Sequence, residues 1–282
     1  MRKFLLVILV MVLVYNTALF YVNIKISEKE SSAPYDSCHK IWASRGVYIT
    51  HEEQNSLESL QRAFANGFNG VEIDFYYDEE MHKFILSHNR PKKDKDGTLQ
   101  YTLKNGKLLT LEEVFQKVGK DHYFWLDYKN LDRLSSDATT EALKRLEEIS
   151  TIYNLKERIY IEGSTPFLLS RYTKEGFLTL FAMQPLKESS ILTSISSNVI
   201  KIVYYFFDFS AVAMPYGHLE NPKYNHTTEE NLQGVPTFLF HVPDDAELLH
   251  RLVDLKDVKV MLVGRDQSIN RATITSCKNQ EK

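Results

Sequence analysis

Apolar positions along the chain fall into short unbroken runs, separated by stretches in which they recur every three or four residues. Leu57, Leu60, Ala63 and Phe64 recur at helical spacing and predict a helix over Asn55 to Asn66, stopped by Gly67. Thr110-Leu111-Glu112-Glu113 reads as a capping box opening a helix through Val118. Further helices are predicted over Ser136 to Asn154, Pro166 to Lys174, Leu192 to Phe207 and Ala246 to Leu255. The unbroken runs predict strands at Lys40 to Gly46, Val71 to Phe75, Lys83 to His88, Tyr123 to Lys129 and Ile159 to Glu162. More follow at Phe177 to Ala182, Ala211 to Met214, Thr237 to Val242 and Val258 to Val263. Strands that are apolar throughout, alternating with helices, predict a parallel sheet covered by helices. About eight strands over roughly 245 residues is the size of a (β/α)8 TIM barrel. A doubly wound open sheet is the competitor, but it would carry a glycine-rich loop after the first strand, and Ser44-Arg45-Gly46 is not one.

The N-terminus follows another pattern. Arg2 and Lys3 precede the uncharged run Phe4 to Val22, which at about 1.5 Å per residue just crosses a hydrocarbon core of about 30 Å. A cleaved signal peptide needs small residues at its cleavage site. Thr17-Ala18 serves poorly, and Leu19-Phe20-Tyr21 continues the run. The reading is a transmembrane signal anchor with its N-terminus in the cytoplasm and the barrel on the non-cytoplasmic side: periplasm, lumen or extracellular space. The chain then divides into an anchor at 1–25, a tether at 26–38 and a barrel at 39–282.

A net charge of −3 with scattered Lys and Arg points to no nucleic-acid partner. The basic run Arg90 to Lys95 is interrupted by Asp94 and reads as a solvated loop. Cys38 and Cys277 bracket the globular part; in an oxidising compartment they join the termini, and otherwise they are two thiols. Asn225-His226-Thr227 is a glycosylation sequon, which matters only in a eukaryotic secretory pathway.

Glu72 and Asp74 lie two apart in a strand, so both project to one side. Two carboxylates in an apolar segment resist burial unless a positive charge sits between them, and hard divalent cations take carboxylate oxygens. The alternative is the wet face of an edge strand. In a barrel, catalytic groups gather at the C-terminal ends of the strands. Those ends read Ser44 and Arg45, Glu72 and Asp74, His88, Asp127 and Lys129, and Glu162.

In order, the chain carries Ser44-Arg45-Gly46, Gln54-Asn55-Ser56, Glu72-Ile73-Asp74, His88-Asn89 and Asp127-Tyr128-Lys129. This series resembles the glycerophosphodiester phosphodiesterase family, including the related phospholipase D toxins of spider venom. The family pattern runs His-Arg-Gly, Glu-Asn-Thr/Ser, Glu-x-Asp, His-Asp and Glu/Asp-x-Lys, and the match spans roughly residues 40 to 130. The resemblance implies a divalent cation, Mg²⁺ or Ca²⁺, held by Glu72, Asp74 and Asp127. It implies phosphate held by Arg45 and Lys129, and a catalytic His88. The substrate implied is a glycerol-containing phosphodiester or a lysophospholipid.

Two positions depart from the family pattern: Ser44 replaces its first histidine, and Gln54 replaces its glutamate. The family uses two histidines as acid and base. A serine hydroxyl does not take a proton at pH 7, and losing one such catalyst forfeits a factor of about 10² to 10⁴. Three readings follow: His51 stands in as the missing base, His88 works alone and slowly, or the protein is a pseudoenzyme that binds a phosphorylated ligand and metal. A sugar-processing barrel using Glu72 and Glu162 leaves Arg45, Lys129 and Asp127 without roles. Ile200 to Phe207 is either a lipid-touching aromatic surface or a helix packed on the barrel.

Overall fold

The computed structural model describes residues 2–29, 35, 37–186, 189–264 and 274–275. Helix α1 (Arg2–Lys25) comes first, followed by β1 (Ile41–Ser44), α2 (Leu57–Ala65), β2 (Gly70–Asp78) and β3 (Lys83–Leu86). Then come α3 (Leu111–Val118), β4 (Tyr123–Tyr128), α4 (Ser136–Ile152), β5 (Ile159–Gly163), α5 (Pro166–Lys174), β6 (Leu178–Ala182) and α6 (Ser190–Phe206). The series ends with β7 (Ala211–Pro215), α7 (His226–Asn231), β8 (Thr237–Phe240), α8 (Ala246–Asp254) and β9 (Val258–Val263). Strands β1, β9, β8, β7, β6, β5, β4 and β2 neighbour one another in that order, all parallel, and pairing of β1 with β2 closes the ring. The architecture is the expected closed eight-stranded parallel barrel.

Burial on both faces explains the unbroken apolar strands. One parity of each strand points outward: Val71, Ile73, Phe75, Phe124, Leu126, Ile159 and Ile161 pack with the helices in the larger core. The other parity points inward, where Trp42, Trp125, Tyr160, Leu180, Phe238 and Val260 fill the barrel interior. The fully buried Trp42 indole lies against Gly70, where a Cβ would overlap the ring. Gly70 is therefore the space that lets a tryptophan close the lower barrel.

One expected feature differs, and one helix is not expected from the sequence. The run Lys83 to His88 does not join the ring; β3 returns antiparallel along β2, pairing Asp78 with Lys83 and Phe75 with Leu86. An apolar run buried by a hairpin partner looks the same in sequence as one buried in a barrel wall. The polar helix α7 has no apolar stripe to announce it; it is capped by Asn225, whose side chain accepts from the Thr228 N–H at 3.0 Å. The capping box at Thr110 and Glu113 and the bounds of α5 and β9 are as expected.

Helix α1, with the turn after it, is long and apolar enough to cross a membrane. Its Tyr21 ring meets Tyr205 at 5.9 Å and Phe206 at 6.2 Å on α6. Along α6, Ile200 and Tyr204 are buried in the barrel's core, while Val199 and Phe206 point outward. The aromatic end of this helix is thus mostly packed, with only its outer edge toward α1. Lys29 docks below it, pairing with Asp208 at 3.0 Å. Residues 30–34 and 36 of the expected tether and Cys277 lie outside the described residues. Cys38 is disulfide-bonded, and its carbonyl accepts from Thr275 Oγ1 at 2.9 Å.

Candidate active site

The register of the parallel strands builds the site. Ser44 stands opposite Glu72, Asp74 opposite Asp127, and Asp127 opposite Glu162. These positions share the inward parity of Trp42, Trp125 and Tyr160 one step below. The apolar plug of the lower barrel therefore gives way to carboxylates at the C-terminal mouth, where a barrel carries its chemistry. The cavity there, about 170 Å³, is lined by Ser44, Arg45, Glu72, His88, Asp127 and Lys129, with Glu162, Phe240, His241 and Leu262 completing the wall.

The turn after β1 is held from both sides. Arg45 has φ 58, and of the described non-glycine residues with positive φ it alone is not Asn, Asp or His. The left-handed region costs an ordinary side chain about 1–2 kcal/mol. That cost is met by hydrogen bonds from the Arg45 N–H to the Glu72 carbonyl at 3.0 Å and to Glu72 Oε2 at 3.1 Å. On the far side, the Arg45 carbonyl accepts from Ser59 Oγ and from the Asn55 N–H. Asn55, also left-handed at φ 54, clasps Asp74: its Nδ2 donates to Oδ2 at 2.7 Å and its Oδ1 accepts the Asp74 N–H at 3.1 Å.

Asp74 is the hub of charge. Its side chain is fully buried, with Arg45 Nε 2.8 Å from Oδ2 and Lys129 Nζ 2.5 Å from Oδ1. Burial would raise its pKa, but the two cations outweigh that and hold it below the ordinary value. Lys129 also pairs with Asp127. Burial opposes the Lys129 charge, and Asp127 and Asp74 overcome it, raising its pKa. The remaining carboxylates are short of positive charge. Burial, with Asp74 and Asp127 nearby, pushes Glu72 well up. Burial likewise pushes Asp127 to about 6, and Glu162 well up despite the hydrogen bond it accepts from Trp125 Nε1 at 2.5 Å. Oxygens of Glu72, Asp74 and Asp127 lie within 4.8 Å of one another. Three hard oxygen donors at that spacing, two of them with raised pKa, fit a divalent cation such as Mg²⁺ or Ca²⁺.

Ser44 Oγ donates to Glu72 Oε2 at 2.8 Å, so its proton is committed to fixing that carboxylate. His88 reaches the cavity because the β2–β3 hairpin rises past the mouth and returns, with the Ser87 N–H on the Asp74 carbonyl at 3.1 Å. Burial lowers the His88 pKa and the Asp74 charge opposes that. His51 does not line this cavity. It sits in a neighbouring groove with Glu52, Thr102 and Lys104, a groove that Arg45 and His88 also line. There its Nδ1 meets Gln54 Nε2 at 2.5 Å, and Gln54 Oε1 accepts from Arg45 Nη1 at 3.1 Å. The hydrogen bonds of His51 lead to the site through Gln54 and Arg45.

His241 was hidden in the sequence. The apolar pattern carries the strand through Val242, which conceals His241 within it, but β8 stops at Phe240. His241 is the first residue past that strand end, and the strand-end rule finds it once the boundary is right.

No protein-family model matches the chain, and no curated protein matches it in sequence. Solved structures do share its fold. A glycerophosphodiester phosphodiesterase from Parabacteroides distasonis aligns over 82% of this chain and 94% of its own, with TM-score 0.58 and 16% identity. One from Thermotoga maritima aligns over 80% and 93%, with TM-score 0.55 and 19% identity. One from Agrobacterium tumefaciens aligns over 83% and 98%, with TM-score 0.52 and 11% identity.

Proposed function

We propose that the chain is a metal-dependent phosphodiesterase that cleaves a glycerol-containing phosphodiester or a lysophospholipid-like substrate at the barrel mouth. The observation that carries this reading is a cavity in which Glu72 and Asp127 stand beside Arg45, Lys129 and His88, with the buried Asp74 behind them, oxygens of the three carboxylates lying within 4.8 Å of one another. The glycerophosphodiester phosphodiesterases that share the fold support it. Glu72, Asp74 and Asp127 would hold Mg²⁺ or Ca²⁺, which when bound supplies Lewis-acid neutralisation of charge on a phosphoryl oxygen. Arg45 and Lys129 bind and orient the phosphate, with Asp74, itself held by Asn55, fixing the guanidinium and the ammonium in place. His88 moves a proton at the reacting oxygen. Ser44 orients Glu72 and does not act as the base. The α1 helix anchors the chain in a membrane, with the barrel on its non-cytoplasmic side and residues 26–38 as the tether.

The commitment of the Ser44 hydroxyl to Glu72 favours one second reading: a binding protein that keeps the metal and phosphate site without turnover. The two separate in one experiment. The protein is incubated with glycerophosphodiesters and lysophospholipids in Mg²⁺, in Ca²⁺ and in chelator, and products are followed by phosphorus NMR. Metal-dependent product that disappears in His88→Ala establishes the enzyme, and the chemical shift separates hydrolysis from cyclic-phosphate formation. Metal binding that Asp74→Asn abolishes, without product from any substrate, establishes the binding protein.

A further inference from the structure

Cleaving a phosphodiester near neutral pH moves two protons: one leaves the attacking hydroxyl and one reaches the departing oxygen. The cavity wall offers two imidazoles for this, His88 and His241. We infer that His241 is the catalytic base opposite His88, supplying the imidazole that position 44 lacks; this rests on the phosphodiesterase reading above.

Its placement carries the inference. His241 follows the last residue of β8 with φ 50, so the chain turns at the barrel mouth instead of running on. The ring packs edge-on against Phe240 with centroids 5.0 Å apart. Neither ring nitrogen has a hydrogen-bond partner among the described residues, so both are free for a substrate. His241 also lines a second cavity of about 600 Å³, shared with Ser44, Leu262, Pro215, His218 and Lys223. Ser44, His241 and Leu262 belong to both cavities, so a substrate with its phosphate in the inner one and its organic part in the outer one passes His241.

The surrounding charges suit a base. Burial lowers the His241 pKa first, and Arg45, Lys129, Lys223 and His88 lower it further, so the ring is neutral at pH 7. The carboxylates of the shared cavity are Glu72, Asp127 and Glu162. Burial lowers the His88 pKa as well, with the Asp74 charge opposing it, so the two roles are separated by placement and not by charge. In the step, neutral His241 takes the proton from water, or from the substrate's own neighbouring hydroxyl, as that oxygen bonds to phosphorus. Protonated His88 gives its proton to the leaving oxygen as the ester P–O bond breaks. The two rings then return to their starting states by exchange with solvent at the open mouth.

The test compares wild type, His241→Gln, His88→Gln and the double variant Ser44→His/His241→Gln. Each is assayed from pH 5 to 9 with a glycerophosphodiester and with a p-nitrophenyl phosphodiester. His241→Gln is expected to lower kcat/KM about 10²- to 10⁴-fold on both substrates and to erase the acidic limb of the pH profile. Mg²⁺ affinity, read by calorimetry, stays as in wild type. His88→Gln loses activity on the glycerophosphodiester but recovers on the p-nitrophenyl ester, whose leaving group needs no proton. Ser44→His restores turnover to His241→Gln. Wild-type kcat/KM and an unchanged acidic limb in His241→Gln overturn this inference alone. An inactive wild type overturns the phosphodiesterase reading and this inference with it.

Discussion

Asp127→Asn tests the charge balance of the cluster directly. Burial, partly offset by Lys129, raises the Asp127 pKa from 3.8 to about 6 in the metal-free protein. A raised carboxyl pKa means that the folded state binds a proton more tightly than the unfolded chain. Stability is therefore lost as pH rises from about 4 through about 6, and it stays lost above that. A gap of about 2 units corresponds to about 3 kcal/mol, with the Lys129 attraction already inside the net shift. Asparagine keeps the shape and carries no charge, and Lys129 retains Asp74. In chelator, Asp127→Asn and wild type should match near pH 4, and the variant should be more stable by about 3 kcal/mol at pH 7. For a barrel of this size that is a rise in Tm of roughly 6–12 °C. With millimolar Mg²⁺ or Ca²⁺ the order inverts, because only wild type keeps the third carboxylate. Thermal melts of the detergent-solubilised chain across pH 4 to 8, with and without chelator, read both effects. A variant no more stable than wild type at pH 7 in chelator refutes the claim that this carboxylate is short of positive charge.

Divalent cation binding at pH 7 should release protons, chiefly from Glu72, whose pKa burial and its carboxylate neighbours push well up. Calorimetry in buffers of different ionisation enthalpy measures the release, and affinity should rise with pH. Gly70→Ala forces a Cβ into the Trp42 ring and should cost about 1–3 kcal/mol, read by denaturant unfolding and a change in tryptophan fluorescence. His51→Ala should leave turnover within a few-fold of wild type, because His51 lies outside the cavity of the carboxylates and its hydrogen bonds lead there through Gln54 and Arg45. Cys38 should resist thiol labelling until the chain is unfolded with reductant.

The legible parts of the fold and the illegible ones have separate physical causes. Burial on both faces writes a strand as an unbroken apolar run, and a two-residue period sends Glu72 and Asp74 the same way, so the rhythm of the barrel and half of the cluster could be read from local order alone. The convergence of Ser44, Asp127 and Glu162 on those carboxylates depends on register between distant strands, which no local pattern encodes. His88 shows the limit in another way. Reading it as a barrel strand end puts it at the mouth, yet it arrives there on a returning hairpin, because an apolar run does not say which strand pairs with it or in which direction. His51 and His241 reverse each other. Nearness in sequence to Ser44 draws attention to His51, whereas in space the turn stapled to α2 carries it into the next groove. The buried Val242 prolongs an apolar pattern past the true end of β8 and masks His241, whose left-handed backbone has no signature in the residues around it. Chemistry at a barrel mouth is set by where strands stop, and a strand boundary is decided by packing and hydrogen bonding across the barrel wall, which local sequence only partly records.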